Sequence, residues 1–299
     1  MSDEPLVSVV IPTFNRVSLL RETVESVRTQ TFRDFEIIVI DDGSTDGTWK
    51  WLIHQTDIRA FRQPNQGIAA SRNHGISRAR GEWIAFLDHD DLWMADKLQI
   101  QMDYVATNQD VALVSARHVR LGKRIKQPRK VSWISGDLFA EVFSQSFIHT
   151  SSVIIRKDVL QSIEGFDPQY RFADEFDVWL KISRQFPIAY INKPLVLIRF
   201  YDANTSHDRL GLRKDTQDIL FKHYDKEKIP ESLFRKTMSD HDISYGRAYL
   251  RAGNLAAAVE SFRNSIVRTP LRPRSWRYFL KYKILKLLLG PGRGVDALQ

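Results

Sequence analysis

Three short apolar runs, each followed at once by acidic or small polar residues, constrain this chain more than any other feature. They are Val7-Ser8-Val9-Val10-Ile11, Phe35-Glu36-Ile37-Ile38-Val39-Ile40 and Trp83-Ile84-Ala85-Phe86-Leu87. Strands apolar nearly throughout are buried on both faces. Helical spacing fills the gaps, from Val17 to Val27 and from Gly67 to Ala79, and Ser44-Thr45-Asp46 supplies helix-capping chemistry. Asp57 to Phe61 reads as a further short strand. The alternation predicts an α/β fold whose mostly parallel sheet is covered on both faces.

The strand ends carry the chemistry. The first run ends in Pro12-Thr13-Phe14-Asn15, the second in Asp41-Asp42-Gly43-Ser44, the third in Asp88-His89-Asp90-Asp91. In an open parallel sheet these ends share one edge, where ligands bind. Five carboxylates on that edge would repel one another, which argues for a cation among them. Asp88 and Asp90, one residue apart, suit a hard divalent ion such as Mg²⁺ or Mn²⁺, which completes its shell from water and substrate phosphates. His89 between them reads as a spacer, since alternate residues point oppositely. No G-x-G-x-x-G and no P-loop stands near these strands, and the late Gly290-Pro291-Gly292-Arg293-Gly294 lacks the Lys-Ser/Thr ending.

Beyond residue 100 the pattern is less regular. Val153 to Ile155 and Leu195 to Phe200 read as strands, and Asp174 to Arg184 as a helix. Lys123 to Lys130 holds five basic residues and a proline, hence a loop, either solvated or able to bind an acceptor phosphate. Trp49, Trp51 and Trp83 read as core. Trp93 and Trp133 suit the core as well, with sugar stacking as the second possibility.

Taken in order, Val9-Val10-Ile11-Pro12-Thr13-Phe14-Asn15-Arg16, Val39 to Asp46, Gly67-Ile68-Ala69-Ala70-Ser71-Arg72-Asn73 and Leu87-Asp88-His89-Asp90-Asp91 resemble the family 2 glycosyltransferases. Ser151-Ser152-Val153-Ile154-Ile155-Arg156, Gly165-Phe166-Asp167 and Ala173 to Leu180 extend the resemblance over about residues 6–206. It implies a GT-A fold and transfer of a sugar, with inversion, from a nucleoside diphospho-sugar (UDP- or dTDP-linked) to an acceptor hydroxyl on a glycan or lipid carrier. Matched motif by motif, Pro12, Thr13, Phe14, Asn15, Asp41 and Asp42 would hold base and ribose, with help from Arg72. Asp88 would touch ribose and metal-bound phosphates, Asp90 would ligate the metal, and Asp91 would approach the donor sugar.

The resemblance departs at two points. The family carries Glu-Asp before a hydrophobic helix, the Asp being the general base, whereas this chain has Asp174-Glu175. By position Glu175 aligns with the base and is favoured over Asp174, the alternative being that both acids serve the first helical turn. Many members also carry Tyr-Arg-x-His where Tyr201 replaces the His, and His207 reads as a plain loop residue.

Composition sets the outer bounds. The 299 residues are 43% hydrophobic and 27% charged, enough for one large or two small domains, and there is no cysteine to form disulfides, a thiolate metal site or a thiol nucleophile. No run reaches the roughly 20 apolar residues of a membrane span, and the start is unlike a signal peptide, so a cytoplasmic enzyme is expected. Residues 1–205 carry 25 Lys+Arg against 26 Asp+Glu, whereas residues 206–299 carry 19 against 10. A catalytic domain over 1–206 and a helical region over 207–299 follow. Within the latter, Tyr245, Gly246, Tyr249, Gly253, Ala258, Phe262, Ser265 and Pro270 match one tetratricopeptide motif, predicting a hairpin over about 240–270. A terminal helix over about 273–289 aligns Trp276, Phe279, Leu280, Ile284 and Leu287, with lysines interspersed. It suits either peripheral contact with an anionic bilayer or docking on the protein. Two other function classes are weighed. A catalytically idle sugar-nucleotide binder or scaffold is favoured only by the reversed Asp174-Glu175 pair. Nucleic-acid binding, suggested by the basic tail, lacks any recognition motif and is not expected.

Overall fold

The computed structural model describes residues 4–128, 130–200 and 209–289; Tyr201, His207 and the glycine-rich run at 290–294 lie outside them. The elements in chain order are β1 (Val7–Thr13), α1 (Val17–Arg28), β2 (Phe35–Asp41), α2 (Thr48–Leu52), β3 (Ile58–Arg62), α3 (Ile68–Arg78), β4 (Trp83–Phe86), β5 (Leu92–Trp93), α4 (Lys97–Thr107), β6 (Leu113–Arg120), β7 (Trp133–Gly136) and α5 (Phe139–Ser144). A 3₁₀ turn (Thr150–Ser152) leads to β8 (Ile154–Arg156), α6 (Lys157–Ser162), α7 (Asp174–Gln185), β9 (Ile188–Ile198), α8 (Arg209–His223), α9 (Glu231–Arg251), α10 (Leu255–Arg268) and α11 (Pro273–Leu289). The chain divides into two compact units, Met1–Val142 with Phe147–Asn204, and Phe143–Ser146 with Thr205–Gln299.

The first unit is built on one sheet of order β3-β2-β1-β4-β8-β6-β9-β5, with β7 also pairing β9. Strands β1 to β4 are mutually parallel, with Val9 opposite both Ile37 and Ala85. The rest is mixed: β6 and β9 pair parallel. Strand β8 runs antiparallel between β4 and β6, and β5 and β7 run antiparallel to β9. The physical reason is backbone satisfaction: β4 and β6 point the same way but are not neighbours, and the short β8 pairs with both.

The order β3-β2-β1-β4 places the signal-bearing turns. The chain leaves β1 on one side through β2 and β3, then returns on the other side as β4. A crevice opens at such a reversal, at the carboxyl ends of the strands. Helix α3 lies close on the sheet because of Gly75, where a Cβ would stand 2.2 Å from Val10 Cγ1. Helix α2 starts at Thr48, later than Ser44-Thr45-Asp46 suggests, because Asp46 Oδ1 accepts from the Thr48 N–H as the first turn begins.

In the second unit, α9 and α10 form a hairpin closed by Gly253 at φ +73°. Phe262 of α10 sits against Gly246 of α9, where a Cβ would come within 2.3 Å of its ring. Ile243, Ala258 and Phe262 form a buried cluster, on which Tyr278 and Tyr282 of α11 pack, both stacked on Phe262. The packed face of α11 is therefore set by these tyrosines and the buried Ser275, whereas Trp276 and Leu280 remain 42% and 48% exposed. Among the described residues no helix is long and apolar enough to cross a membrane.

Candidate active site

The turns after β1 and β2 are fastened together. Asn15 adopts φ +50°, a left-handed conformation that asparagine tolerates better than most side chains. Its N–H donates to Ser44 Oγ at 2.9 Å, and its Oδ1 accepts from the Thr45 N–H at 2.7 Å. Asp41 is fully buried, accepts from the Ser44 N–H, and meets Arg62 Nε at 3.3 Å. Arg62 in turn lies over the Trp49 ring, 5.8 Å from its centroid. Asp42 spends both oxygens on the loop before α3, accepting from Gln63 Nε2 and the Gln66 and Gly67 N–H groups. Pro12, Thr13 and Phe14 complete the rim; Thr13 is buried with its hydroxyl unpartnered, and Phe14 is exposed.

Arg72 joins two chemically distinct parts of the crevice. Buried on α3, it donates through Nη2 to Asp88 Oδ1 at 2.9 Å and through Nη1 to Asp174 Oδ2 at 2.8 Å, with Glu175 Oε2 at 4.0 Å. Burial opposes its charge, but the Asp174, Asp88 and Glu175 carboxylates outweigh burial and hold its pKa above the ordinary value. Asp88 is likewise held low against its own burial, chiefly by Arg72. Glu175, at the first turn of α7, is the opposite case. Its pKa is pushed up to about 8 by burial and by the adjacent Asp174 charge, with Arg72 only partly offsetting them. Its side chain is 36% exposed whereas that of Asp174 is 3% exposed, so Glu175 alone of the pair is open to solvent.

The Asp88–Asp91 loop is fixed from beneath. Ser151 Oγ accepts from the Asp88 N–H at 3.2 Å and donates to Asp91 Oδ2 at 2.6 Å. Asp91 Oδ1 accepts from the Arg199 N–H, and Arg199 Nε donates to the Asp90 carbonyl. Asp91 is thus buried and turned inward, and burial with the nearby Asp88 and Asp90 charges pushes its pKa well up. The segment 151–153 is itself gripped by buried donors: Trp93 Nε1 to the Ser151 carbonyl, Gln101 Nε2 to Ser152 and Lys97 Nζ to Val153. Burial drives the Lys97 pKa well down, and that of His149 to about 4. A neutral His149 then accepts the Ser151 N–H on Nδ1. His89 reaches back to the Pro12 carbonyl at 3.3 Å.

One expectation changes, and for Trp93 the favoured core reading holds. The five carboxylates do not stand unpaired: Arg62, Arg72, Ser151 and backbone N–H groups hold four of them, so repulsion alone no longer argues for a cation. Trp93 is core and offers no sugar platform, being 4% exposed with its N–H committed; Trp133 stacks on Tyr104 at 3.8 Å. The supporting roles of Ser151, Arg199 and Lys97 were not assigned from sequence. Ser151 sits in one of the family-like blocks, Arg199 in the strand expected over Leu195 to Phe200, and Lys97 offered only the signal of a lone cation beside apolar residues.

Among the described residues no group of three or more His, Asp or Glu side chains is arranged to hold a metal. Asp88 and Asp90, both half-buried, present a two-carboxylate donor set. That set is too sparse for a metal cage but fits an ion whose other ligands arrive with a diphosphate. A cleft of about 1090 Å³ lies at the opposite edge around Leu6, Asp34 and Trp83, away from this constellation.

A mixed sheet whose strand order reverses beside β1, with the Asp88–Asp91 loop and the Arg72 bridge at that reversal, is a GT-A fold. Residues 8–163 match the family described as glycosyl transferase family 2. The chain belongs to that family and is a glycosyltransferase. An uncharacterised glycosyltransferase of Rickettsia typhi is 29% identical over 270 residues, 85% of each chain. TuaG of Bacillus subtilis, assigned to teichuronic acid biosynthesis, is 28% identical, covering 71% of this chain and 86% of that protein. The fold resembles S. aureus TarS 1-349 in complex with UDP-GlcNAc (TM-score 0.61, 15% identity, 93% of this chain and 91% of that one). It also resembles the Pyrobaculum calidifontis mannosyltransferase in complex with GDP-Man and Mn²⁺ (TM-score 0.61, 19% identity, 96% and 81%).

Proposed function

We propose that this chain is a divalent-cation-dependent, inverting transferase that moves a sugar from a UDP- or dTDP-sugar to a glycan or lipid-linked acceptor in surface polysaccharide or glycolipid synthesis. The observation that carries the reading is the Arg72 bridge, which ties the Asp88 loop to the Asp174-Glu175 pair; a donor on that loop would then lie beside the base. Support for the cation and the donor comes from the Mn²⁺ and nucleotide-sugar complexes of the fold relatives, and for the pathway from TuaG.

In this reading the rim from Pro12 to Asn15, with Asp41, receives base and ribose, and Asp42 shapes that rim through the loop before α3. Asp88 and Asp90 would hold Mn²⁺ or Mg²⁺; when bound, the ion neutralises charge developing on the leaving diphosphate. Glu175 accepts the proton of the attacking hydroxyl, its raised pKa making it a stronger base than an ordinary carboxylate. Asp174 keeps Arg72 in place. Asp91, whose oxygens are engaged, acts by holding the loop that faces the donor sugar. A single displacement with the base opposite the leaving group inverts the anomeric carbon. The reading includes a cytoplasmic enzyme touching the membrane through α11, and a tetratricopeptide-like α9–α10 hairpin.

The test is a thermal-shift screen of nucleotide sugars with Mn²⁺ or chelator, followed by NMR of the product anomer. A cation-dependent shift, lost in Asp90→Ala, is expected. Equal shifts in excess chelator would remove the metal from the reading, and a retained anomeric configuration would remove inversion.

A further inference from the structure

Between Asp110 and Asp137 the chain has seven Lys and Arg residues, one His and no acid. The other residues of 1–205 carry 18 Lys+Arg against 26 Asp+Glu, so positive charge in this part of the sequence is concentrated in one excursion. The excursion is the second half of β6, the loop after it, and β7. Arg120, Lys123, Arg124, Lys126 and Lys130 are exposed, and none is ion-paired with an acid among the described residues. Nearby cations on other elements differ: Arg199 pairs with Glu22, and Lys193 with Asp96.

The topology sets this charge beside the catalytic edge. Strand β6 points the same way as β4, so its basic end emerges on the edge where β4 delivers Asp88–Asp91. Arg120 pairs with Ile198 of β9, about 5 Å across the strands. The next residue, Arg199, donates to Asp90 and Asp91. The nucleotide side of the crevice lies at the other flank, over β1 to β3. A basic strip on the flank opposite the nucleotide faces the position of the second substrate.

We propose that this strip is an acceptor subsite and that the acceptor is a phosphate-bearing glycan. The proposal rests on the transferase reading above and names its second substrate. Unpaired cations on a solvated loop attract phosphates by long-range field and direct hydrogen bonds, with a strength that falls as salt rises. A neutral sugar chain can accept hydrogen bonds from them but gains nothing from their long-range field. Arg120 is preset for the role, since its guanidinium lies over the Phe200 ring, 5.1 Å from the centroid.

The experiment uses the full chain in excess chelator, so that the cation-dependent donor mode does not contribute. Fluorescent phosphopentamannose is titrated by anisotropy beside the same oligosaccharide after phosphatase treatment. The phosphorylated form should bind at least tenfold tighter, less so as salt rises. The triple variant Arg120→Ser, Lys123→Ser, Lys126→Ser should lose about tenfold while its Mn²⁺-dependent thermal shift with nucleotide sugar is unchanged. Lys126→Glu alone, at an exposed loop position, provides the same readout if the triple variant fails to fold. Equal binding of the two oligosaccharides, or undiminished binding by both variants, overturns the proposal. So does binding of phosphatidylglycerol vesicles through these residues without binding of phosphopentamannose, which assigns the strip to lipid. Absence of any nucleotide-sugar shift in the unaltered protein would instead strike at the transferase reading and leave the glycan result standing.

Discussion

At the residue scale, Glu175 carries opposed demands. A carboxyl that keeps its proton up to about pH 8 is a strong base but is idle until it ionises. Activity measured as kcat/KM should therefore rise with pH through about 8, because that parameter reports the free enzyme. Glu175→Gln should lose on the order of 10²–10⁴-fold in turnover with donor affinity retained. The same shift costs stability. Between the ordinary 4.5 and about 8 the folded chain holds a proton that the unfolded chain has lost, so stability falls as pH rises across that window. Glu175→Gln is free of this penalty and should melt no lower than the parent at pH 7; a clear drop would show that the carboxyl is structurally required. Ser151 makes the complementary case, since it reaches substrate only through the loop it holds. Ser151→Ala strands the Asp88 N–H and an Asp91 oxygen, so apparent Mn²⁺ affinity and kcat should fall about tenfold, with Ser151→Thr restoring much of both. Unchanged Mn²⁺ affinity in the alanine variant would detach Ser151 from the metal loop. The acids of the β1, β2 and β4 loops were legible from sequence because they follow strand ends, and Asp174 and Glu175 because they open a helix within the resemblance. Their partners were not, because Ser151 lies 63 residues from Asp88 and only the sheet brings them together.

At the element scale, the strongly patterned half of the sheet was readable and the rest was not. Strands β1, β2 and β4 are apolar nearly throughout, so local pattern and global burial agree. Strand β6 was missed because its second half, Arg117-His118-Val119-Arg120, has one face in water and reads as a charged segment. Strand β8 was found, but no local rule says that three residues will run antiparallel between two longer strands. In α11 the apolar residues spread around the helix, and the tyrosines take the packed face because they stack on Phe262. The α9–α10 contact supplies a direct test. Gly246→Val places methyl groups where the Phe262 ring lies, which should destabilise the helical unit by about 1–3 kcal/mol. Phe262→Leu combined with Gly246→Val should recover part of that loss in denaturant melts. Strictly additive losses would show that the two residues do not share this space.

At the scale of the whole molecule, charge and apolar exposure coincide at the end of the chain. Residues 263–299 hold nine basic residues and one acid. Around α11, Val267, Leu271, Trp276 and Leu280 are exposed, and Arg274, Arg277, Lys281 and Lys283 are exposed among them. The tyrosines that fasten α11 leave this face unused by the helical unit's own core. Each basic residue near an anionic bilayer contributes on the order of 1 kcal/mol, and inserted apolar side chains add to it. The full chain should therefore sediment with phosphatidylglycerol vesicles at low salt and be released as salt rises, while phosphatidylcholine vesicles leave it in the supernatant. Trp276→Ser with Leu280→Ser should weaken the association with no change in nucleotide-sugar binding, since both exposed side chains lie in the helical unit. Charge alone explains the binding if that double variant sediments as well as the parent, and a chain that stays in solution at low salt removes the membrane from the functional reading.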